Sequence, residues 1–305
     1  MAYPEKGQIR TRRQELSSHP GNSQAGGASQ AVEPDPVRHV APSTQQALDE
    51  VFRRRAARQA AQRSDWSVSL DRIFYRVSRH WLPLFIAVSG ILVGLPWLAP
   101  VFMKAGWTGP ARAVYTVYSF FCHQLPQRSF FLYGPKPMPT LDEVVRAGAG
   151  SRDPFSLREF VGTPALGYKV AWSDRMVSMY TSIPLAALAW GALRRRLKPL
   201  PIWGFALFAL PIVLDGGSHM LSDLAGIGQG FRDSNLWLST LTDGALPSTF
   251  YAGDAVGSFN SWMRLITGAL FGIGLGWFSF PALDESFADM AHQIEARFAR
   301  AGIRP

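Results

Sequence analysis

The residues best suited to chemistry form a short run near the middle of the chain, Cys122-His123-Gln124-Leu125-Pro126-Gln127-Arg128-Ser129. A cysteine thiolate beside a histidine imidazole offers ligands that zinc and similar divalent metals accept. A thiolate can also act as a nucleophile, but on a helix His123 is poorly placed to activate the residue directly before it. Cys122 is the only cysteine, so an intramolecular disulfide is excluded.

Further titratable residues stand near the ends of apolar stretches. Asp215, His219 and Asp223 are spaced four residues apart, so they share one side of a helix if that helix continues through Gly216-Gly217. Paired glycines disfavour such a continuation. The complete set of candidate site residues is Cys122, His123, Gln124, Arg128, Ser129, Asp174, Arg175, Asp215, His219, Asp223 and Arg264.

Apolar stretches must position these residues. An α-helix of roughly 20 apolar residues crosses a hydrocarbon core about 30 Å thick. The sequence predicts an all-α integral membrane helical bundle with about four transmembrane helices. The predicted spans are about 82–103, 176–193, 200–221 and 263–283. Glycines at every fourth position predict close helix packing, at Gly90 and Gly94 in the first span and at Gly268, Gly272 and Gly276 in the last.

The distribution of basic residues predicts the topology. The formal net charge of +9 could indicate a nucleic-acid partner, but the chain has no zinc-finger spacing or other nucleic-acid motif. Arginines instead cluster in 53–79 and 194–198, beside apolar stretches, as cytoplasmic loops do. We therefore expect a multi-pass protein of the cell membrane with both termini in the cytoplasm, outer loops 104–175 and 222–260, and no nucleic-acid partner.

The remaining segments are predicted from composition. Residues 1–43 are polar and predicted to be a disordered tail. Segment 44–80 is basic and amphipathic, so it lies among anionic lipid headgroups or docks on the protein itself. Residues 113–122 are too few to span and predict a re-entrant or interfacial helix, while 134–168 contain two helix starts within an extracytoplasmic loop cap. Residues 284–305 form an amphipathic cytoplasmic tail.

This topology brings the candidate residues from four segments to the outer membrane face, and two interpretations stay open. In the first, the cluster is a structural latch. Arg175 and Arg264 neutralise Asp215 and Asp174, and the histidines donate to backbone carbonyls. The protein would then be a non-enzymatic membrane protein, as a homo-oligomer or a subunit of a membrane complex.

In the second interpretation the cluster binds a divalent metal or a small ligand through His123, Asp215, His219 and Asp223. The protein would then be an enzyme or a transport component, because ionisable residues at membrane depth mark functional sites. No tight metal signature such as HExxH is present. The sequence leaves open whether the protein is an enzyme.

The Cys-His-Gln-x-Pro-x-Arg-Ser run of residues 122–129 resembles the signature of DUF2085, an uncharacterised bacterial and archaeal family of polytopic membrane proteins. Over roughly 110–280 the chain is similar to this family in further motifs. Arg264-Leu265-Ile266-Thr267-Gly268 matches its Arg-x-x-Thr-Gly run, and Asp215-Gly216 matches its Asp-Gly. The resemblance implies a membrane bundle. His219 replaces a family glutamine, and Ser173 and Met176 replace cysteines, which argues against a thiolate-rich metal site.

Overall fold

The computed structural model describes residues 44–302 and residue 304, apart from the side chains of residues 44 and 59–64. The disordered tail predicted for residues 1–43 lies outside these described residues. The chain divides into two compact units, Met1–Ala60 and Ala61–Pro305. Within the first unit the described residues are helical, and Arg54 donates to Glu50 at 2.9 Å.

Helices dominate the described chain. Those of eight residues or more are α1 (Thr44–Arg79), α2 (Trp81–Lys104), α3 (Thr108–Tyr118), α6 (Asp174–Leu193), α7 (Ile202–Asp223) and α11 (Phe259–Ala301). Shorter helices are α4 (Leu141–Val144), α5 (Pro154–Glu159), α8 (Phe231–Ser234), α9 (Leu236–Leu241) and α10 (Ser248–Tyr251). Among the described residues, four helices, α2, α6, α7 and α11, are long and apolar enough to cross a membrane. The predicted number of spans is therefore confirmed.

Helix α11 extends beyond the predicted span 263–283. It runs for 43 residues through Pro281 and includes most of the segment 284–305 predicted as an amphipathic tail. The reason is an apolar stripe that stays buried along the extension, at Ala291, Ile294 and Phe298. Helix α1 contacts the same extension, where Tyr75 Oη donates to Glu295 at 2.9 Å. Other apolar residues of α1 remain exposed, namely Trp66, Leu70, Ile73 and Phe74.

Glycines allow α11 to approach α6 closely. A Cβ atom added to Gly272 would lie 2.0 Å from Ser182 Oγ, and one added to Gly268 would lie 2.8 Å from the carbonyl oxygen of Arg175. The close packing predicted from glycines at every fourth position of α11 is thus confirmed. The similar pair in α2, Gly90 and Gly94, has no atom of the described chain within 4 Å of an added Cβ.

A small sheet accompanies the helices and was not predicted. Its strands are β1 (Ser129–Leu132), β2 (Gly162–Thr163) and β3 (Gly167–Ser173), antiparallel in the order β1-β3-β2. Ser129 pairs with Ser173. The sheet therefore holds Arg128, just before β1, beside Asp174, the first residue of α6. β1 and β2 are too short for a clear alternating pattern, and the burial of β3 does not alternate along its seven residues.

The loop cap contains the predicted helix starts. Thr140 and Glu143 form a reciprocal capping box on α4, and Asp153 caps α5 by accepting from the N–H groups of Phe155 and Ser156. Both start sites are confirmed. Helix α3 turns back along α2, since Tyr118 Oη donates to the carbonyl oxygen of Leu92 at 2.7 Å.

The four candidate membrane helices, α2, α6, α7 and α11, alternate in direction, which gives the bundle two distinct ends. At the aromatic end, where α2 begins, Trp81, Trp190 and Phe280 form a buried cluster with Phe287 packed against it. At the charged end, α6 and α11 begin and α7 ends. The candidate residues collect there.

Candidate functional site

Arg264 on α11 connects two carboxylates at the charged end. Its side chain is 2% exposed. Nε donates to both oxygens of Asp174 at 2.8 and 3.0 Å, and Nη1 donates to Asp254 Oδ1 at 2.6 Å. Nη2 donates to the main-chain oxygen of Asp254 at 2.8 Å. Arg264 therefore fixes the start of α6 and the loop before α11 in one position.

Arg128 extends this chain of ion pairs. It makes two parallel 2.7 Å bonds to the carboxylate of Asp223, and its Nε donates to Asp254 Oδ2 at 2.9 Å. Burial opposes the charged form of Asp254, but the guanidinium groups of Arg128 and Arg264 lower its pKa below the ordinary value. Asp254 is thus held as a carboxylate shared by two arginines.

Asp215 forms a second group on α7. Arg175 Nη2 donates to its Oδ2 and Arg232 Nη2 to its Oδ1, both at 2.7 Å. Gly216 leaves room for this pair, because a Cβ there would lie 3.1 Å from Arg175 Nη1. Helix α7 continues through both glycines, so Asp215, His219 and Asp223 do share one side.

His219 lies between these two groups and is almost fully buried. Its Nε2 is 3.3 Å from Arg264 Nη1, and its Nδ1 is 3.8 Å from Asp215 Oδ1. The contacts shown for its ring nitrogens are to charged side chains rather than to backbone carbonyls. The prediction of a carbonyl partner is therefore wrong for His219, because the converging charges of α7 and α11 occupy its surroundings.

Four arginines and four aspartates form this cluster, so their formal charges balance. We call it the charge network: Arg128, Arg175, Arg232, Arg264, Asp174, Asp215, Asp223 and Asp254. The pairs predicted for a latch, Arg175 with Asp215 and Arg264 with Asp174, are both present. Arg232 and Asp254 were not predicted as site residues. Arg232 could have been found as the single basic residue of the acidic loop 222–260.

The Cys122–Ser129 run holds itself as a turn. Cys122 Sγ accepts the N–H groups of Gln124 and Ser173 at 3.3 and 3.4 Å, and Ser129 Oγ donates to the carbonyl oxygen of Leu125 at 2.9 Å. Gln124 has a left-handed φ of 53° and donates to the carbonyl oxygen of Tyr115. His123 is exposed. These bonds aim Arg128 at the charge network.

A buried lysine fastens the same turn, and sequence reasoning missed it. Lys169 on β3 is fully buried, and its Nζ donates to the carbonyl oxygens of Gln124 and Arg158 at 2.9 and 2.6 Å. Burial lowers the pKa of this amine to about 7. A lysine in a Gly- and Pro-rich loop resembles an ordinary surface charge, so no sequence signal identified it.

The proposed metal ligands do not form a common donor set. In the described part of the chain, no group of three or more His, Cys, Asp or Glu side chains is arranged to hold a metal ion. Asp215 and Asp223 face guanidinium groups, and His123 is exposed while His219 is buried.

A cavity of about 630 Å³ opens beside the charge network. It lies between the 121–128 turn, helix α5, the start of α6 and the last two turns of α7. Arg128, Arg175, His219, Asp223 and Arg264 line its inner side. Part of the charge network is therefore accessible from this cavity.

Comparison with known proteins supports this architecture. Residues 165–278 match the family DUF2085, described as a predicted membrane protein. The DUF2085 resemblance is confirmed over these residues. The match contains every member of the charge network except Arg128, and the Cys122–Ser129 signature lies outside it, so that part of the resemblance stays a prediction.

A relative from Methanocaldococcus jannaschii, an uncharacterized protein, is 41% identical over 59 residues. This alignment covers 17% of the chain and 38% of the relative. The chain thus spans less than two thirds of the relative's length. No solved structure matches the chain. The DUF2085 region therefore identifies a membrane protein without assigning a reaction to it.

Proposed function

We propose that this DUF2085 protein is a multi-pass membrane protein whose charge network is a structural latch at the outer membrane face. The observation that carries the proposal is the connectivity of the ion pairs. They join residues between 10 and 126 positions apart in sequence, so distant loops and helix ends meet in one cluster. Each arginine has a carboxylate partner within 2.9 Å, and each network carboxylate accepts from at least one arginine.

The energetics favour a role in holding the loops in place. Two buried charges lose much of their hydration energy, so a buried pair adds little stability compared with an apolar pair. Removing one partner, however, leaves the other charge buried and costs about 3–5 kcal/mol. Such a network therefore penalises any arrangement in which the loops leave the helix ends.

The proposed orientation places both termini in the cytoplasm of a cell whose plasma membrane holds the protein. The basic residues 194–198 follow α6, and Arg194 contacts Asp284 near the aromatic end. Cytoplasmic loops carry such an excess of basic residues. On that side, exposed Trp66, Ile73 and Phe74 of α1 would enter the headgroup region, with neighbouring arginines beside anionic lipids.

Replacing Arg264 by alanine tests the latch. We expect the free energy of unfolding in detergent to fall by about 3–5 kcal/mol, since Asp174 and Asp254 would lose a partner. The matched control is Arg152→Ala, which removes a 2.7 Å pair with Asp142 in which the side chains are 43% and 69% exposed. That change should cost less than about 1 kcal/mol.

Two results would contradict the latch. One is an Arg264→Ala protein as stable as the Arg152→Ala control. The other is a stoichiometric metal, found by elemental analysis of the purified protein, that is lost on His219→Ala while folding stays intact.

A further inference from the structure

The cavity beside the charge network has mostly apolar walls that continue to the surface. Phe121, Phe155, Met220 and Leu224 line it, and their exposed fractions are 52%, 75%, 65% and 79%. Met220 lies in the last turn of α7, and Leu224 directly follows the last residue of that helix. The apolar mouth therefore lies where a membrane-spanning helix leaves the hydrocarbon. Its volume of about 630 Å³ is within the usual range of ligand pockets.

The inner side of the cavity is cationic although the charge network is neutral overall. Four arginines line it, Arg128, Arg158, Arg175 and Arg264, and Asp223 is the single lining carboxylate in the described chain. Asp174, Asp215 and Asp254, the carboxylate partners of Arg264, Arg175 and Arg128, do not line the cavity. The carboxylates thus lie behind the guanidinium groups as seen from the cavity.

Two of these arginines retain hydrogen-bonding capacity. Arg175 contacts Asp215 through Nη2, while its buried Nε has no hydrogen-bond partner in the part of the chain that the structure describes. Arg158 is half-buried at the cavity and donates through Nη2 to the carbonyl oxygen of Ser119. A buried donor without a partner in the protein can be satisfied by an ordered water, an ion or a ligand. Guanidinium groups are well suited to phosphate, which they bind through parallel donors.

We infer that this cavity binds a phosphate-bearing lipid, with the phosphate at Arg175 and Arg158 and one acyl chain leaving past Phe121, Phe155 and Met220. Charge complementarity selects an anion, and the apolar mouth at the end of α7 selects an amphiphile over a soluble anion. This binding function goes beyond the latch. It uses the cavity side of Arg175, whose other side is paired with Asp215, together with Arg158.

Binding can be measured on the full chain purified in dodecyl maltoside. Dodecyl phosphate, a chain with an anionic headgroup, is titrated while Tm is followed by tryptophan fluorescence and stoichiometry by native mass spectrometry. We expect a saturable rise in Tm and one bound molecule. Inorganic phosphate at the same concentrations should give neither, and equal binding of inorganic phosphate would show that the site takes a soluble anion and overturn the lipid assignment.

Two neighbouring substitutions locate the binding. Met220→Glu places a carboxylate in the cavity and should weaken dodecyl phosphate binding at least tenfold. Leu221→Glu is the matched control, because Leu221 is 61% exposed on the same helix but does not line the cavity. It should bind dodecyl phosphate as the wild type does, with any loss of Tm similar in both variants. Equal affinity of the two variants, or no one-to-one complex with the wild type, would overturn the proposal. Neither result depends on the stability of Arg264→Ala, which tests the latch.

Discussion

The two ends of the helical bundle are held together by different forces. At the aromatic end, Trp81 stacks on Phe287 with ring centroids 5.5 Å apart, and Trp81 Nε1 donates to Asp284 at 2.9 Å. At the charged end, Arg264 and Asp174 are joined by hydrogen bonds in an almost fully buried pair. The ring stacking depends on shape and contact area. The buried ion pair requires a donor and an acceptor at fixed positions.

The difference follows from what each end must organise. A short connection, 194–201, joins α6 to α7 at the aromatic end, whereas the charged end receives the long segments 105–173 and 224–258. At the aromatic end, ring packing joins α2, α6 and α11, and the short loop joins α6 to α7. Long segments cost more entropy to order, so the charged end needs contacts that only one arrangement satisfies. In lipid, apolar burial between helices supplies little of this specificity.

The largest difference is expected between two conservative variants, one at each end. Asp254→Asn keeps the size of the side chain but removes the charge shared by Arg128 and Arg264. We expect the free energy of unfolding in detergent to fall by about 3–5 kcal/mol. Trp81→Phe keeps an aromatic ring and loses one hydrogen bond, so it should cost about 1 kcal/mol.

Unfolding by sodium dodecyl sulfate, followed by tryptophan fluorescence, compares the two variants directly. If Asp254→Asn were no more destabilising than Trp81→Phe, the ion pairs would not distinguish the two ends, and the comparison would fail.

A smaller effect is expected between the two ends, where α6 and α11 touch. Gly272→Ala adds a Cβ that would lie 2.0 Å from Ser182 Oγ and 2.5 Å from the carbonyl oxygen of Met179. The helices must separate, at a cost of about 1–3 kcal/mol. Gly90→Ala is the matched control in α2, because nothing in the described chain lies within 4 Å of its added Cβ. It should be neutral or stabilise the helix by up to about 1 kcal/mol. Equal destabilisation by both would show that helix packing does not explain the loss.

The spans were predictable because hydrophobicity over about 20 residues is a strong local signal. Glycines at every fourth position of α11 predicted its close packing, since that spacing lies on one helix face. The pairing of Arg175 with Asp215 was predictable from charge once the topology placed both at one face. Each of these inferences needed only local sequence and the thickness of a membrane.

The remaining features depend on long-range contacts that leave little local trace. The pairing of Ser129 with Ser173 in the sheet determines where Arg128 points, yet β1 has only four residues. Asp254 gives no sign in its neighbouring residues that it will join two distant arginines. The continuation of α11 beyond residue 283 depends on the burial of Ile294 and Phe298, which an amphipathic pattern alone does not reveal.

The smallest change is expected per unit of pH, at Lys169, a buried amine of the charged end that donates to carbonyl oxygens. Burial lowers its pKa from the ordinary 10.5 to about 7, so between these values the unfolded chain holds a proton that the folded protein lacks. The free energy of unfolding should therefore rise as the pH increases from 7 towards 10, by at most about 1.4 kcal/mol per pH unit, and this gain is lost as the pH falls back to 7. Lys169→Met should abolish this dependence of stability on pH. The control is Lys136→Met, which removes an amine that is 54% exposed and paired with Glu143, and it should retain the dependence. Detergent unfolding at pH 7, 8 and 9 measures all three proteins. A wild-type stability that stays flat or falls over this range would mean that Lys169 keeps its proton in the folded protein, and the charged end would then contain one buried cation more than its carboxylates balance.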